Sequence, residues 1–163
     1  LFGRYHVRVF RFIVRMTRNE AVAEELANET FMEVWRSAHR YEGRSAPSTW
    51  IFAIARNKTI SLLRKRSDAE LDDEAASRIE DDADTPEDSA MKDSKAAAIR
   101  ACLDALSPAH REVIDLVYYH EKSVAEVAEI VDAPENTVKT RMFHARKRLS
   151  ELMKERGIDR GWP

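Results

Sequence analysis

The residues with the clearest chemical purpose in this chain lie between positions 135 and 149. Their spacing predicts a helix with one apolar stripe, formed by Val138, Met142, Ala145 and Leu149. The opposite side carries hydrogen-bonding, aromatic and basic side chains: Asn136, Thr140, Phe143, His144 and Lys147, flanked by Lys139 and Arg146. Residues 137–149 include five Lys or Arg and no Asp or Glu. Such a surface suits the phosphates and base edges of DNA.

A shorter helical pattern precedes this helix, and Asp132, Ala133 and Pro134 separate the two. Ser123 and Glu126 have the spacing of a capping box that opens the shorter helix. Its predicted apolar face consists of Val124, Val127, Ala128 and Val131. A short helix, a tight turn and a cationic second helix form the order of a helix-turn-helix, whose second helix enters the major groove. The plainer alternative is a helical hairpin with a solvated basic face.

The composition predicts an all-α protein. The 163 residues contain only four Gly and five Pro, and the long apolar periodicities are helical. No run of 18 apolar residues is present. The single cysteine, Cys102, excludes an intramolecular disulfide. It lies on an apolar stripe with Ile99, Leu103 and Leu106, so we expect it to be buried.

The net charge of −2 conceals an uneven distribution along the chain. Residues 1–67 carry 13 basic and 6 acidic side chains, residues 68–95 carry 3 and 12, and residues 96–163 carry 11 of each. The middle segment lacks aromatic residues and cannot bury enough apolar surface to offset the entropy of ordering it. We therefore predict two small helical domains, 1–67 and 96–163, joined by a flexible acidic linker over 68–95.

Two amphipathic helices are predicted in the first domain before position 38. The first has an apolar face of Val9, Phe12, Ile13 and Met16 within an arginine-rich segment. The second begins near Asn19 and has an inner stripe of Ala23, Leu26, Ala27, Thr30, Phe31 and Val34. Its outer side carries Glu25, Asn28, Glu29, Met32 and Glu33. Taken alone, that outer side is more typical of a solvated surface than of a partner site.

A third helix is predicted after the turn at residues 42–47, with Ser48 as its cap. It begins with aromatic residues and ends with a cluster of basic ones at 64–66. Aromatic side chains interleaved with Arg, Lys, Asn and Thr suit single-stranded nucleic acid, because bases stack on the rings while the backbone follows the charge. Spacing alone still favours Trp50 and Phe52 as core residues.

Residues 24–66, followed by a variable linker and residues 106–149, closely resemble the extracytoplasmic-function (ECF) sigma factors of bacterial RNA polymerase. The resemblance implies sigma domain 2 at 1–67, sigma domain 4 at 96–163, and promoter-specific transcription initiation. The implied partners are core RNA polymerase, through its β′ clamp helices and β flap, promoter DNA, and an anti-sigma factor. No metal, cofactor or catalytic residue is implied.

The resemblance also assigns roles to individual residues. Core polymerase would contact Glu25, Asn28, Glu29 and Met32 on the second helix. The −10 element would be melted and read by the third helix and the turn before it, through Tyr41, Arg44, Ser45, Thr49, Trp50, Arg56, Asn57 and Lys58. Asn57 would lie at the pocket for a base flipped out of the non-template strand. The −35 element would be read as duplex by Asn136, Thr137, Lys139, Thr140, Phe143, His144, Arg146 and Lys147.

Two positions depart from the family pattern. Asp132 stands in the turn between the last two helices, where the family commonly has Gly. Asp tolerates positive φ better than most residues, so the turn is expected to survive. His144 stands where Arg is frequent, and a neutral imidazole should attract phosphate less strongly and read a base edge instead.

Three other classes of protein share some of these features but fit the sequence less well. A response-regulator transcription factor has a similar recognition helix but needs a receiver domain of alternating strands and helices, which residues 1–67 do not indicate. An anti-sigma or adaptor protein would not need both DNA-reading modules. An enzyme is not indicated, because the chain has no HExxH, CxxC, GxGxxG or P-loop. The lone thiol and the DNA-binding pattern indicate the cytoplasm.

Overall fold

A computed structural model describes residues 2–43, 46–72 and 94–157. Over these ranges the chain is helical and contains no strand, which confirms the predicted all-α class. The helices are α1 (Phe2–Thr17), α2 (Glu20–Ser37), α3 (Pro47–Asp72), α4 (Ser94–Asp104), α5 (Pro108–Ile114), α6 (Val124–Val131) and α7 (Glu135–Glu155). A 3₁₀ turn (Ala38–Arg40) follows α2, and a π-helical segment (Asp115–Tyr119) continues α5.

The described residues fall into two compact units. Residues 2–43, 46–72 and 125–132 belong to the first, and residues 94–124 and 133–157 belong to the second. The helix α6, which the sequence places in the C-terminal domain, thus groups with the first unit. Most of the predicted acidic linker, residues 73–93, lies outside the described residues. Its first five residues extend α3 to Asp72, because no Gly or Pro stops the helix after Arg66.

The first unit is built on mutual packing of α1, α2 and α3. The rings of Phe12 and Phe52 stack in its core, with 5.1 Å between their centroids. Two buried threonines, Thr30 and Thr59, each donate a hydrogen bond of 2.8 Å to the carbonyl one turn earlier, so their hydroxyls cost little to bury. The predicted stripes are buried except at their edges, where Met16 and Phe31 are half-buried.

Local capping sets the starts of α2 and α3. Asn19 caps α2, and its side-chain oxygen accepts a 3.0 Å hydrogen bond from the N–H of Val22. The predicted cap of α3 at Ser48 is wrong by two residues. The helix starts at Pro47, where a fixed φ and a missing N–H suit the first helical position, and Trp50 N–H bonds to the carbonyl of Ala46.

In the second unit α7 packs against α5 and α4. The predicted stripe of α7 is buried throughout, with Val138, Ala145 and Leu149 fully buried and Met142 4% exposed. Cys102 is buried as predicted, and Leu106 lies in the same core, whereas Ile99 and Leu103 are half-buried.

The apolar face of α6 differs from the prediction. Val127 and Val131 are buried as expected, but Ile130 is the third buried residue, while Val124 and Ala128 are half-buried. An isoleucine gains more from burial than an alanine, so the helix turns its Ile130 side inward. None of the described helices is long and apolar enough to cross a membrane.

Candidate nucleic-acid interface

The outer side of α7 presents a continuous polar and basic surface. Because the apolar stripe is buried, the predicted DNA-contacting residues of α7 are exposed, with one exception. The exception is Thr137, which is half-buried. The exposed ones are Asn136, Lys139, Thr140, Phe143, His144, Arg146 and Lys147. At about 100° per residue, Thr140 lies nearly opposite the buried stripe, whereas Lys139 and Arg146 lie together on one flank and Arg148 lies on the other. The helix therefore has a front and two basic edges.

Aromatic rings cluster at the middle of this surface. Phe143 is 63% exposed and meets His144 edge to face, with 5.4 Å between ring centroids. His110 of α5 faces His144 at 6.5 Å in a stacked orientation. The sequence alone did not indicate His110, because no periodic pattern connects the start of α5 to the exposed side of α7.

Tyr118, which the sequence alone did not indicate, contacts the basic edge of α7. Arg146 Nε donates a 2.9 Å hydrogen bond to the hydroxyl of Tyr118, which is 44% exposed on the π-helical segment. The guanidinium carbon lies 5.9 Å from the centre of the same ring. Arg146 is thus held by a tyrosine from another part of the second unit.

In the first unit, the aromatic start of α3 and its exposed amide lie on one side of the helix. Trp50 is half-buried and stacks on Tyr41, with 4.7 Å between centroids and 24° between planes. Asn57 follows Trp50 by seven residues and is exposed. Because seven residues make about two helical turns, Asn57 lies on nearly the same side of α3 as Trp50, roughly 10 Å along the helix axis. Arg56 and Lys58 are half-buried beside it.

One of the predicted −10 residues, Thr49, is buried, and two others lie outside the described residues. Thr49 is only 1% exposed, and within the first unit its hydroxyl donates a 3.4 Å hydrogen bond to the carboxylate of Glu126. Its small side chain faces inward because α3 turns Ile51 and Phe52 into the core on the neighbouring positions. Arg44 and Ser45 lie outside the described residues.

A groove of about 390 Å³ runs between α2 and α3. Its α2 wall is formed by Glu25, Leu26 and Glu29, and its α3 wall by Asn57, Lys58, Ser61, Leu62 and Lys65. One wall is acidic and the other basic. The residues predicted to contact polymerase and the residues predicted to receive a flipped base therefore border the same groove.

Neighbouring groups stabilise the charged form of Glu33 on α2. The pKa of Glu33 is lowered from its ordinary value near 4.5, chiefly because the hydroxyl of Ser37 donates a 2.7 Å hydrogen bond to its carboxylate. Arg36 stabilises the same charge through a 3.3 Å hydrogen bond, and the charge of Lys58 lowers the pKa further. Lys58 thus sits in the field of carboxylates from α2.

The outer face of α2 exposes apolar side chains as well as polar ones. Glu25, Asn28, Glu29 and Met32 are all exposed, and Met32 is 59% so. Trp35, one turn after Met32, is 84% exposed. Trp35 was not among the predicted contact residues, although its i+3 spacing from Met32 places it on the outer face of α2. An exposed Met and Trp next to carboxylates favour a protein partner on this face.

Two family models match separate parts of this chain. Residues 1–69 match the family model "Sigma-70 region 2", and residues 96–149 match "Sigma-70, region 4". The chain is 31% identical over 160 residues to the ECF RNA polymerase sigma factor SigW of Bacillus subtilis, covering 93% of this chain and 86% of SigW. This chain belongs to the ECF sigma factors.

Other members of the family support the same assignment. The RNA polymerase sigma factor CarQ of Myxococcus xanthus is 35% identical over 158 residues, covering 95% of this chain and 88% of CarQ. Among solved structures, the sigma factor RpoE of Bartonella quintana, in complex with the anti-sigma factor NepR, has a TM-score of 0.78, 30% identity and 94% coverage of each chain. The predicted family is confirmed, and this ECF sigma factor directs promoter-specific initiation by core RNA polymerase.

Proposed function

We propose that this ECF sigma factor divides promoter recognition between its two predicted domains, 1–67 and 96–163. The first reads the −10 element with α3 and the turn before it, and docks on the β′ clamp helices through the outer face of α2. The second reads the −35 element with α7 and contacts the β flap. The observation that carries this proposal is the orientation of α7, which buries its apolar stripe and exposes its basic front.

On α7 the front residues specify sequence and the flanking cations position the helix. Thr140 lies nearly opposite the buried stripe, and Phe143 and His144 are exposed on either side of it, so these three reach the base edges. Lys139 and Arg146 lie nearer the rims of the groove, where phosphates are found. Since base contacts discriminate and phosphate contacts do not, the two sets have separable effects on affinity and specificity.

On α3 the exposed amide of Asn57 receives a base flipped out of the non-template strand. Flipping costs on the order of a few kcal/mol in unstacking and unpairing. Hydrogen bonds from a side-chain amide, which donates and accepts, offset part of that cost. The Tyr41–Trp50 stack, on the same side of α3, provides an aromatic platform for an adjacent base.

The outer face of α2 binds core polymerase through Glu25, Asn28, Glu29 and Met32, and Trp35 extends it. Exposed apolar groups among carboxylates fit a basic partner surface with an apolar centre. Because the RpoE relative was solved with an anti-sigma factor, we infer that an anti-sigma factor controls this chain also. It works in the cytoplasm and has no catalytic activity of its own.

A selection experiment on the −35 element tests the proposal. The full chain is assembled with core polymerase, and a library randomised at the −35 element is selected at two salt concentrations. Thr140→Ala or His144→Ala should change the preferred sequences by about 1–3 kcal/mol at the affected base pair. Arg146→Ala should weaken all sequences nearly equally and reduce the salt slope by about one unit.

A charge-matched control is available on the other flank of α7. Arg148 lies 3.2 Å from the carboxylate of Glu151, so its charge is already compensated. Arg148→Ala should change the salt slope less than Arg146→Ala. If Arg146→Ala reorders the preferred sequences while His144→Ala only scales them down, α7 is rotated differently in the groove and the assignment of roles fails.

A further inference from the structure

Tyr118 and Arg146 form a side-chain contact between the π-helical segment and the exposed edge of α7. The Nε–H of Arg146 donates to the Tyr118 hydroxyl oxygen at 2.9 Å. The guanidinium carbon is 5.9 Å from the ring centre, near the outer limit for attraction of a cation to an aromatic face. The hydrogen bond is therefore the main interaction, and the ring adds a smaller contribution.

This contact leaves the phosphate-binding capacity of Arg146 intact. An arginine has five N–H donors, and the bond to Tyr118 uses only the one on Nε. The four donors on the two terminal nitrogens remain able to meet a phosphate in a two-pronged contact. Tyr118 thus holds the guanidinium without consuming the groups that DNA would need.

Holding the side chain matters because Arg146 is exposed. An exposed arginine samples many rotamers, and binding to a phosphate must select one of them at an entropic cost. A group that is already oriented in the free protein loses less entropy on binding. The hydrogen bond to Tyr118 therefore preorganises the arginine before DNA arrives.

The π-helical segment brings Tyr118 to this place. Residues 115–119 wind with wider turns than the α-helix before them, which shifts the direction of every later side chain. Asp115 and Leu116 are buried, whereas Tyr118 and Tyr119 are exposed. The segment ends where Lys122 N–H bonds to the carbonyl of Leu116 at 3.0 Å and Glu121 adopts a φ of 55°.

We propose that Tyr118 is a positioning residue for −35 recognition, which orients Arg146 toward a DNA phosphate without being a sequence reader itself. The proposal rests on the phosphate-binding role proposed above for Arg146. It predicts that the hydroxyl of Tyr118 contributes to promoter affinity only when Arg146 is present.

The test is a double-mutant cycle on holoenzyme assembled from core polymerase and the full chain, with promoter affinity measured across a range of salt concentrations. Tyr118→Phe keeps the ring and removes the acceptor, and it should weaken binding roughly threefold to tenfold, the range for immobilising one flexible side chain on binding. The salt slope should stay unchanged in Tyr118→Phe because the cation remains. In the Arg146→Ala background, Tyr118→Phe should have no further effect.

Tyr119→Phe is the matched control, because it removes a hydroxyl from the next tyrosine, which is 48% exposed. It should leave promoter affinity unchanged, and the melting temperature of each variant separates misfolding from lost binding. The positioning role is overturned if Tyr118→Phe weakens binding equally with and without Arg146. It is also overturned if Arg146→Ala weakens binding but Tyr118→Phe in the otherwise unchanged chain does not. In both cases the role of Arg146 stands. If Arg146→Ala itself leaves affinity and salt slope unchanged, the phosphate-binding role fails and the positioning role with it.

Discussion

The rings of Tyr41 and Trp50 stack with 4.7 Å between their centroids, and this pair joins the turn before α3 to the aromatic start of that helix. Asn57 lies on nearly the same side of α3 two turns later. The stack therefore ties the chain on both sides of the turn that leads into α3. Its integrity is expected to matter for both local order and −10 recognition.

Tyr41→Ala should lower the free energy of unfolding and reduce open-complex formation, because it removes the stacking partner of Trp50. The loss attributable to the ring pair, beyond burial, should be about 0.5–1.5 kcal/mol. Urea unfolding and permanganate footprinting of the melted promoter measure the two effects. Tyr41→Phe keeps the ring and should retain both properties. Equal losses in Tyr41→Phe and Tyr41→Ala would mean that the hydroxyl, rather than the stack, is responsible.

Glu25→Lys combined with Glu29→Lys should weaken binding to core polymerase while leaving the melting temperature nearly unchanged, because both side chains are exposed. Trp35→Ala should weaken binding to core polymerase by about 2 kcal/mol or more if the ring becomes a central interface contact. Binding is measured by titrating labelled core polymerase. Glu20→Lys is the control for Glu25→Lys alone, because it makes the same charge change about 140° away round the helix. Equal weakening by Glu20→Lys would point to general electrostatic attraction instead of a docking face.

Asp132 adopts a φ of 57°, as its place in a turn commonly occupied by Gly in the family leads one to expect. Asp132→Gly should leave the free energy of unfolding equal or higher, since Gly has no steric cost there. Asp132→Val should lower it by about 1–2 kcal/mol, because a β-branched residue is strained in the left-handed region. Chemical denaturation measures both. Glu129→Val, on the exposed side of α6, should cost less than Asp132→Val, and the reverse order would show that backbone strain is not the cause.

Asp115 and His120 form a buried pair in the second unit, with 3.3 Å between Oδ2 and Nε2 and each side chain about 5% exposed or less. Asp115→Ala should lower the free energy of unfolding by about 1–3 kcal/mol, because a buried polar ring loses its carboxylate partner. Asp115→Val with His120→Leu should recover much of this loss, since both polar groups are then gone. Denaturation curves of Asp115→Val, His120→Leu and the double variant give the coupling. A double variant as unstable as the sum of the single ones would mean that the two side chains act independently.

Helical periodicity was sufficient to predict the surfaces that depend on one helix. The stripe of Val138, Met142, Ala145 and Leu149 repeats at helical spacing, so the sequence determines which side of α7 is buried. The same reasoning placed Glu25 and Met32 on the outer face of α2. On α6 the apolar residues fit two different helix faces. The prediction placed Ala128 on the buried face in place of Ile130 and was wrong.

Features that depend on tertiary placement could not be predicted in this way. Tyr118 reaches Arg146 because a π-helical segment shifts the helical phase, and an ideal helical wheel does not contain that shift. The burial of Thr49 depends on its neighbours in space, since a threonine fits either a buried or an exposed position. The groove between α2 and α3 exists only once the two helices pack.

The most direct test of the central claim is run-off transcription from a library of promoters with core polymerase and the full chain. We expect no transcript without core polymerase, and with it a set of promoters that share two separate elements. Asn57→Ala should relax preference at one position of the downstream element by about 1–3 kcal/mol, and Thr140→Ala should alter only the upstream element. If both variants change the same element, or if the selected promoters share no second element, the division of −10 and −35 recognition between α3 and α7 is contradicted.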